Sequence, residues 1–62
     1  MNKVRHFREK QNLRQIDLAR KANISMTWLW ALENGFENRV SLEIKRRIAD
    51  ALNCDYDALF RR

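Results

Sequence analysis

The sequence predicts an all-α domain of five short helices, on three observations. The 62 residues contain no proline and a single glycine, so no helix breaker interrupts the chain before the glycine. Strong helix formers (Leu, Ala, Arg, Lys, Glu) make up much of it. Apolar residues recur at three- and four-residue spacing, and each periodic stretch runs out at an Asn or the Gly. β-alternation, repeats and linkers are absent from the pattern, and the length suits one domain over residues 1–62.

The first helix is expected over residues 2–11, with Val4 and Phe7 on one face. Asn12 reaches the left-handed conformation that ends it, and Leu13 turns inward. The second helix, over 15–22, sets Ile16, Ala19 and Ala22 in register beside Leu18. Asn23 stops it, Ile24 plugs the core, and Ser25 caps a third helix over 26–34. Gly35 closes that helix, because glycine takes positive φ without strain. After a loop over 36–40, Ser41 caps a fourth helix over 42–52, in which Ile44, Ile48 and Leu52 are spaced by four. Asn53 ends it, Asp55 caps again, and a last turn carries Tyr56, Leu59 and Phe60.

Composition excludes several classes of function. Cys54 is the only cysteine and His6 the only histidine, so neither an internal disulfide nor a four-ligand zinc site is expected. No cofactor, signal peptide or membrane-spanning run of roughly 20 apolar residues is expected, and the default setting is reduced and cytoplasmic. A fold of this size buries only about 60% of its unfolded surface, so its core must come from helix packing. Thirteen Lys and Arg oppose eight Asp and Glu, for a net charge of +5. Nine of the thirteen are Arg, whose planar fork suits phosphate oxygens and base edges. That balance points to a polyanion such as nucleic acid, against the plainer reading of a basic, soluble surface.

One stretch goes further. Leu13-Arg14-Gln15-Ile16-Asp17-Leu18-Ala19, Asn23-Ile24-Ser25 and Leu29-x-x-Leu32-Glu33-Asn34-Gly35 together resemble the helix-turn-helix of the Cro and phage-repressor (XRE-type) regulators. The likeness continues through Ser41-Leu42-Glu43 and Ile48-Ala49-Asp50-Ala51-Leu52-Asn53 to Asp57-Ala58-Leu59-Phe60. The resemblance implies a compact five-helix, lambda-repressor-like domain with its helix-turn-helix over about residues 15–34. In that family the third helix enters the major groove of double-stranded DNA. It implies that Gln15 bonds a phosphate and buttresses the recognition helix, or reaches a base edge, that Asn34 and Arg39 contact phosphate, and that base contacts come from Met26, Thr27, Trp28, Trp30 and Ala31 in varying combinations. Arg8 matches the arginine that pairs with the glutamate at Glu33. A homodimer through the region of Asn53, Cys54, Tyr56 and Phe60 is implied as well.

Helix geometry narrows the base-reading set. At about 100° per residue, Leu29 and Leu32 define the core direction, while Thr27, Ala31 and Asn34 point nearly opposite with Trp30 beside them. Met26 projects from the helix start, and Trp28 sits at the flank, either reading DNA or packing on the first two helices. These positions depart from the family's usual Gln, Arg, Ser or Asn. The face therefore either reads T-rich sites by apolar contact or grips a protein partner, as exposed Trp residues often do. Glu33 lies about 70° from the core direction, so its carboxylate needs a partner such as Arg8.

Arg14 stands where the family has a Ser or Thr cap, and is either a phosphate clamp or a solvated charge. Arg20, Lys21, Arg46, Arg47, Arg61 and Arg62 read as ordinary surface charge. The Lys45 stem is expected to run along an apolar edge, Cys54 to act as a small core hydrophobe, and His6 to face solvent. No nucleophile, second carboxylate or metal set accompanies Glu33, so an enzyme is not expected. The sequence reads as a DNA-binding regulator, with a protein-interaction module or a DNA-binding antitoxin as rivals.

Overall fold

The computed structural model describes residues 2–61. Five α-helices follow in order: α1 (Val4–Lys10), α2 (Gln15–Ala22), α3 (Met26–Glu33), α4 (Leu42–Ala51) and α5 (Tyr56–Phe60). A single 3-10 turn, Glu37–Arg39, lies between α3 and α4. Among the described residues there is no strand.

One hinge design ends four of the helices. Asn12, Asn23 and Asn53 stand at φ 57–58° and Gly35 at φ 89°. In each case the next residue's N–H reaches back five residues: Leu13 to Arg8 O, Ile24 to Ala19 O, Phe36 to Ala31 O, and Cys54 to Ala49 O, all at 2.9–3.0 Å. This is the Schellman closure, in which a left-handed residue lets the chain turn while satisfying an orphan carbonyl. Its following residue is usually apolar and folds back on the helix. Leu13, Ile24 and Cys54 do so, packing against the core. Phe36 does not, and stays exposed.

Helix starts follow the expected chemistry in part. Ser25 Oγ accepts from the Trp28 N–H at 3.4 Å, and Ser41 Oγ from the Ile44 N–H at 3.3 Å. Asp55 was expected to cap α5, but its side chain makes no capping bond. α1 begins two residues later than expected, because Asn2 is drawn out of the helix. Its Oδ1 accepts from the Val4 N–H at 3.1 Å while its Nδ2 donates to Leu32 O at 2.8 Å. A short polar side chain that bonds the backbone two residues on competes with helical geometry.

The core consists of Val4, Leu18, Leu29, Leu32, Ile48, Leu52 and Leu59, all fully buried, filled in by Ala19, Ala22, Val40, Ala49 and Ala51. Each large side chain contributes about 1.5–3 kcal/mol through burial. α2 packs on both α3 and α4, α1 crosses α3, and α5 closes on α4. The Lys3 N–H also donates to Leu59 O at 2.9 Å, tying the front of α1 to α5. Ile16, placed in register with Ala19 and Ala22, is left partly exposed at the edge of α2. The Lys45 ammonium lies 5.8 Å from the Phe60 ring centre, as an apolar-edge lysine would.

Nothing lies within 4 Å of a Cβ built on Gly35, so Gly35→Ala meets only torsional strain. The expected cost is about 1–2 kcal/mol, a fall in Tm of roughly 4–8 °C per kcal/mol for a domain this small. Thermal unfolding followed by circular dichroism checks this; an unchanged Tm would show that the α3 closure does not need positive φ.

Candidate nucleic-acid interface

The site grows from one buried carboxylate. Glu33, the last residue of α3, is 7% exposed and faces Arg8 of α1, 8% exposed. Arg8 Nε donates to Glu33 Oε2 at 2.7 Å and Nη2 to Oε1 at 3.0 Å, a two-pronged pairing. Arg8 Nη1 also donates to Leu13 O at 2.7 Å, holding the turn that enters α2. A third donor completes the cluster: Gln15 Nε2 reaches Glu33 Oε1 at 3.1 Å. Because a carboxylate only accepts, this bond fixes which end of the Gln15 amide faces inward. The hydrogen bonding that Arg8 donates to Glu33 is the main cause raising the Arg8 pKa above its ordinary value, against a smaller opposing push from burial.

Gln15, at the first position of α2, thus touches the end of α3 and remains half-buried at the domain edge. Asn34 is exposed, with its Nδ2 donating to Trp30 O at 2.8 Å, which caps the last turn of α3. Arg39 is exposed in the 3-10 turn. Its guanidinium carbon stands 6.0 Å from the centre of the Phe36 ring. The Phe36 ring in turn stacks on Trp30, with centroids 5.8 Å apart and planes at 17°. The three side chains make a continuous column from α3 to the 3-10 turn.

α3 divides sharply. Leu29, Leu32 and Glu33 are buried. Met26, Thr27, Trp28 and Trp30 are exposed, Trp30 at 52%, and Ala31 is half-buried beside the core. Trp28 lies open at the flank instead of being sealed against α1 and α2. Thr27, Trp28, Trp30, Ala31, Phe36 and Arg39 line a shallow groove of about 290 Å³. Phe36 is the member of this surface that sequence reasoning missed. The available signal was its place directly after Gly35, where a large apolar residue either plugs the core or stays outside it.

Arg14 is already engaged. Its Nε and Nη2 donate to the two Asp17 carboxylate oxygens, each at 2.9 Å, and its backbone N–H donates to Asp17 Oδ2 at 2.8 Å. The missing Ser or Thr cap is therefore answered by half of a capping box, supplied from the third residue of α2. Among the dimer candidates, Asn53 is exposed while Cys54, Tyr56 and Phe60 are half-buried, with the Tyr56 and Phe60 rings 4.9 Å apart. Arg47 donates to Asn23 O at 3.2 Å and lies 3.2 Å from Glu43. Arg62 lies outside the described residues.

Two predictions follow from these contacts. Removing one member of a buried ion pair strands the other, at about 3–5 kcal/mol, a large share of the roughly 3–9 kcal/mol a chain of this length holds. Arg8→Met and Glu33→Met should each lower the urea midpoint severely, while the double variant retains more stability than either; simple additivity would show that the two groups act independently. The Arg14 hydrogen bonds hold the Asp17 pKa down to about 2 from its ordinary 3.8. A depressed carboxylate stabilises the fold above its unfolded value and loses that contribution as pH falls through the folded one. The acid limb of the wild-type stability curve between about pH 4 and about 2 should therefore be steeper than that of Asp17→Asn. Parallel limbs would show that the pairing adds nothing to the fold.

The family model of the helix-turn-helix domain matches residues 2–62. No curated protein and no solved structure matches the chain. Among the described residues no helix is long and apolar enough to cross a membrane. The short turn from Ala22 to Met26, the bracing of α3 against α2, and a family match spanning nearly the full length agree. The chain belongs to the helix-turn-helix domain family, whose members bind DNA.

Proposed function

We propose that this chain is a sequence-specific transcriptional regulator of the Cro and phage-repressor type, acting as a repressor from the cytoplasm with residues 1–62 as one binding domain. α3 enters the major groove of double-stranded DNA. The observation that carries this reading is the division of α3: its inner side is anchored by Leu29, Leu32 and Glu33, and its outer side stands free. An α-helix with its side chains is about 10–12 Å across, which suits a major groove about 12 Å wide.

In this reading Met26, Thr27, Trp28, Trp30 and Ala31 meet the base edges. Gln15, Asn34, Arg39 and Arg14 flank α3 and set the register through phosphates. The Gln15 amide, turned inward by Glu33, keeps its oxygen and one N–H for other partners. Arg8 and Glu33 stay structural. Two copies meet through the surface around Asn53, Cys54, Tyr56 and Phe60, placing two recognition helices on half-sites about one helical turn apart.

A second reading has support in the exposed aromatic cluster of Trp28, Trp30 and Phe36, since such clusters also serve as protein hot spots. Capture of a protein that depends on Trp30, together with no duplex binding at low salt, would favour it.

If Arg14 and Arg39 each neutralise one phosphate, binding to duplex DNA should weaken with a log–log salt slope of roughly −2 per domain. Arg39→Ala should weaken all sequences alike and shrink that slope by about 1, whereas Thr27→Ala should reorder the preferred sequences. Fluorescence anisotropy across a salt series measures both. A flat salt response overturns the phosphate contacts, and a uniform loss from Thr27→Ala removes its base-reading role.

A further inference from the structure

The groove on the outer side of α3 is built unlike the rest of the surface. Three of the four residues that follow a left-handed helix stop turn into the core, whereas Phe36 turns outward and is 42% exposed. Its ring lies against Trp30 and extends the apolar wall of α3 into the following turn. The wall ends in the Arg39 guanidinium, which is exposed at the groove rim. An apolar floor with a cation at its edge fits a ligand whose own apolar groups sit a few ångströms from anionic ones.

The hydrogen-bonding capacity of the floor is small. It amounts to the Thr27 hydroxyl and the indole N–H groups of Trp28 and Trp30. None can form the two-pronged bonds by which Arg reads guanine or Asn and Gln read adenine. In the major groove one base-edge group is recognised by apolar contact instead: the methyl carried by thymine at C5. It projects beside the phosphates that Arg39 would meet, and the net charge of +5 favours that polyanion.

We propose that the groove lined by Thr27, Trp28, Trp30, Ala31, Phe36 and Arg39 is a thymine-methyl site, which reads the C5 methyl group and not the hydrogen-bonding edge of the base. Phe36 is its specificity-determining residue outside α3, holding Trp30 against the floor from one side and orienting Arg39 on the other. This rests on the DNA-binding reading above.

The test uses the full chain and the duplex it selects from a random pool, in three forms. The first is unmodified. The second carries 2′-deoxyuridine in place of thymidine, one position at a time, which deletes only the methyl. The third carries a 5-methylcytosine–guanine pair at the sensitive positions, which restores the methyl on a different hydrogen-bonding edge. The uracil form should bind about four-fold more weakly for each contacted methyl, and the 5-methylcytosine form should recover to within about two-fold of the original. Phe36→Ala and Trp30→Ala should bring the thymine-to-uracil ratio toward one. A selected consensus without T·A pairs, equal binding of the thymine and uracil forms, or no recovery with 5-methylcytosine each overturns the proposal. If salt-dependent duplex binding persists in those cases, the DNA-binding function stands and only the methyl site falls. Absence of duplex binding at low salt removes both.

Discussion

The buried Glu33 carboxylate is the constraint on which the rest of this small fold depends. It sits at the C-terminal end of α3, where the helix already presents negative partial charge, and almost no water reaches it. Such a group is tolerated only when fully paired. Arg8 and Gln15 supply three donors between 2.7 and 3.1 Å, one residue from α1 and one from α2. Three helices therefore converge on one charge. Arg8 extends the brace to Leu13 O, so the entry to α2 and the exit from α3 are fixed by the same guanidinium. Among the described residues no buried side-chain polar atom is left without a partner, which a domain with so little core to spare requires.

That brace has a consequence for the outer side of α3. With Leu29, Leu32 and Glu33 immobilised, the positions of Met26, Thr27, Trp28 and Trp30 follow from helix geometry alone. A ligand that meets them finds a surface already arranged, and little ordering remains to oppose binding. α3 is also apolar on both sides, unlike α2 and α4, whose outer positions are charged. A helix of that kind belongs in a core or against a partner. Since its inner side already fills the core, the outer side is the one left free for the partner we propose.

Most of the fold was legible because its signals are local. Each left-handed stop at Asn12, Asn23, Gly35 and Asn53 depends on one residue's tolerance of positive φ, and the Ser25 and Ser41 caps depend on a hydroxyl three residues before an N–H. Misreadings arose where two partners compete for one side chain. The sequence places Asn2 within α1, but its amide serves the Leu32 carbonyl of α3, thirty residues away. Asp55 has the right side chain for a cap and makes no such bond. The pairing of Arg14 with Asp17 was equally hidden, since the pattern gives no weight to a cap supplied from inside the helix. Phe36 was passed over because its spacing suits a core plug as well as an outward ring, and only packing decides between them.

The basic residues are not equivalent sources of positive charge for a polyanion. Arg5, Arg8, Arg14, Arg47 and Arg61 each lie within 4.0 Å of a carboxylate on the same chain, so these five cations are already engaged, although pairing one anion with each leaves the net charge of +5 unchanged. Arg8 cannot exchange its partner without exposing a buried charge. Arg14 is different: its pair with Asp17 lies at the solvent-facing edge, so a phosphate could replace the carboxylate, but Asp17 would remain beside the phosphate and repel it. Arg39 has no carboxylate partner among the described residues, and Phe36 limits where its guanidinium can go. In the proposed complex it would meet a phosphate without giving up a bond or leaving an anion behind. Of the two arginines flanking α3, Arg39 should carry the larger share of the salt-dependent affinity, although both are exposed.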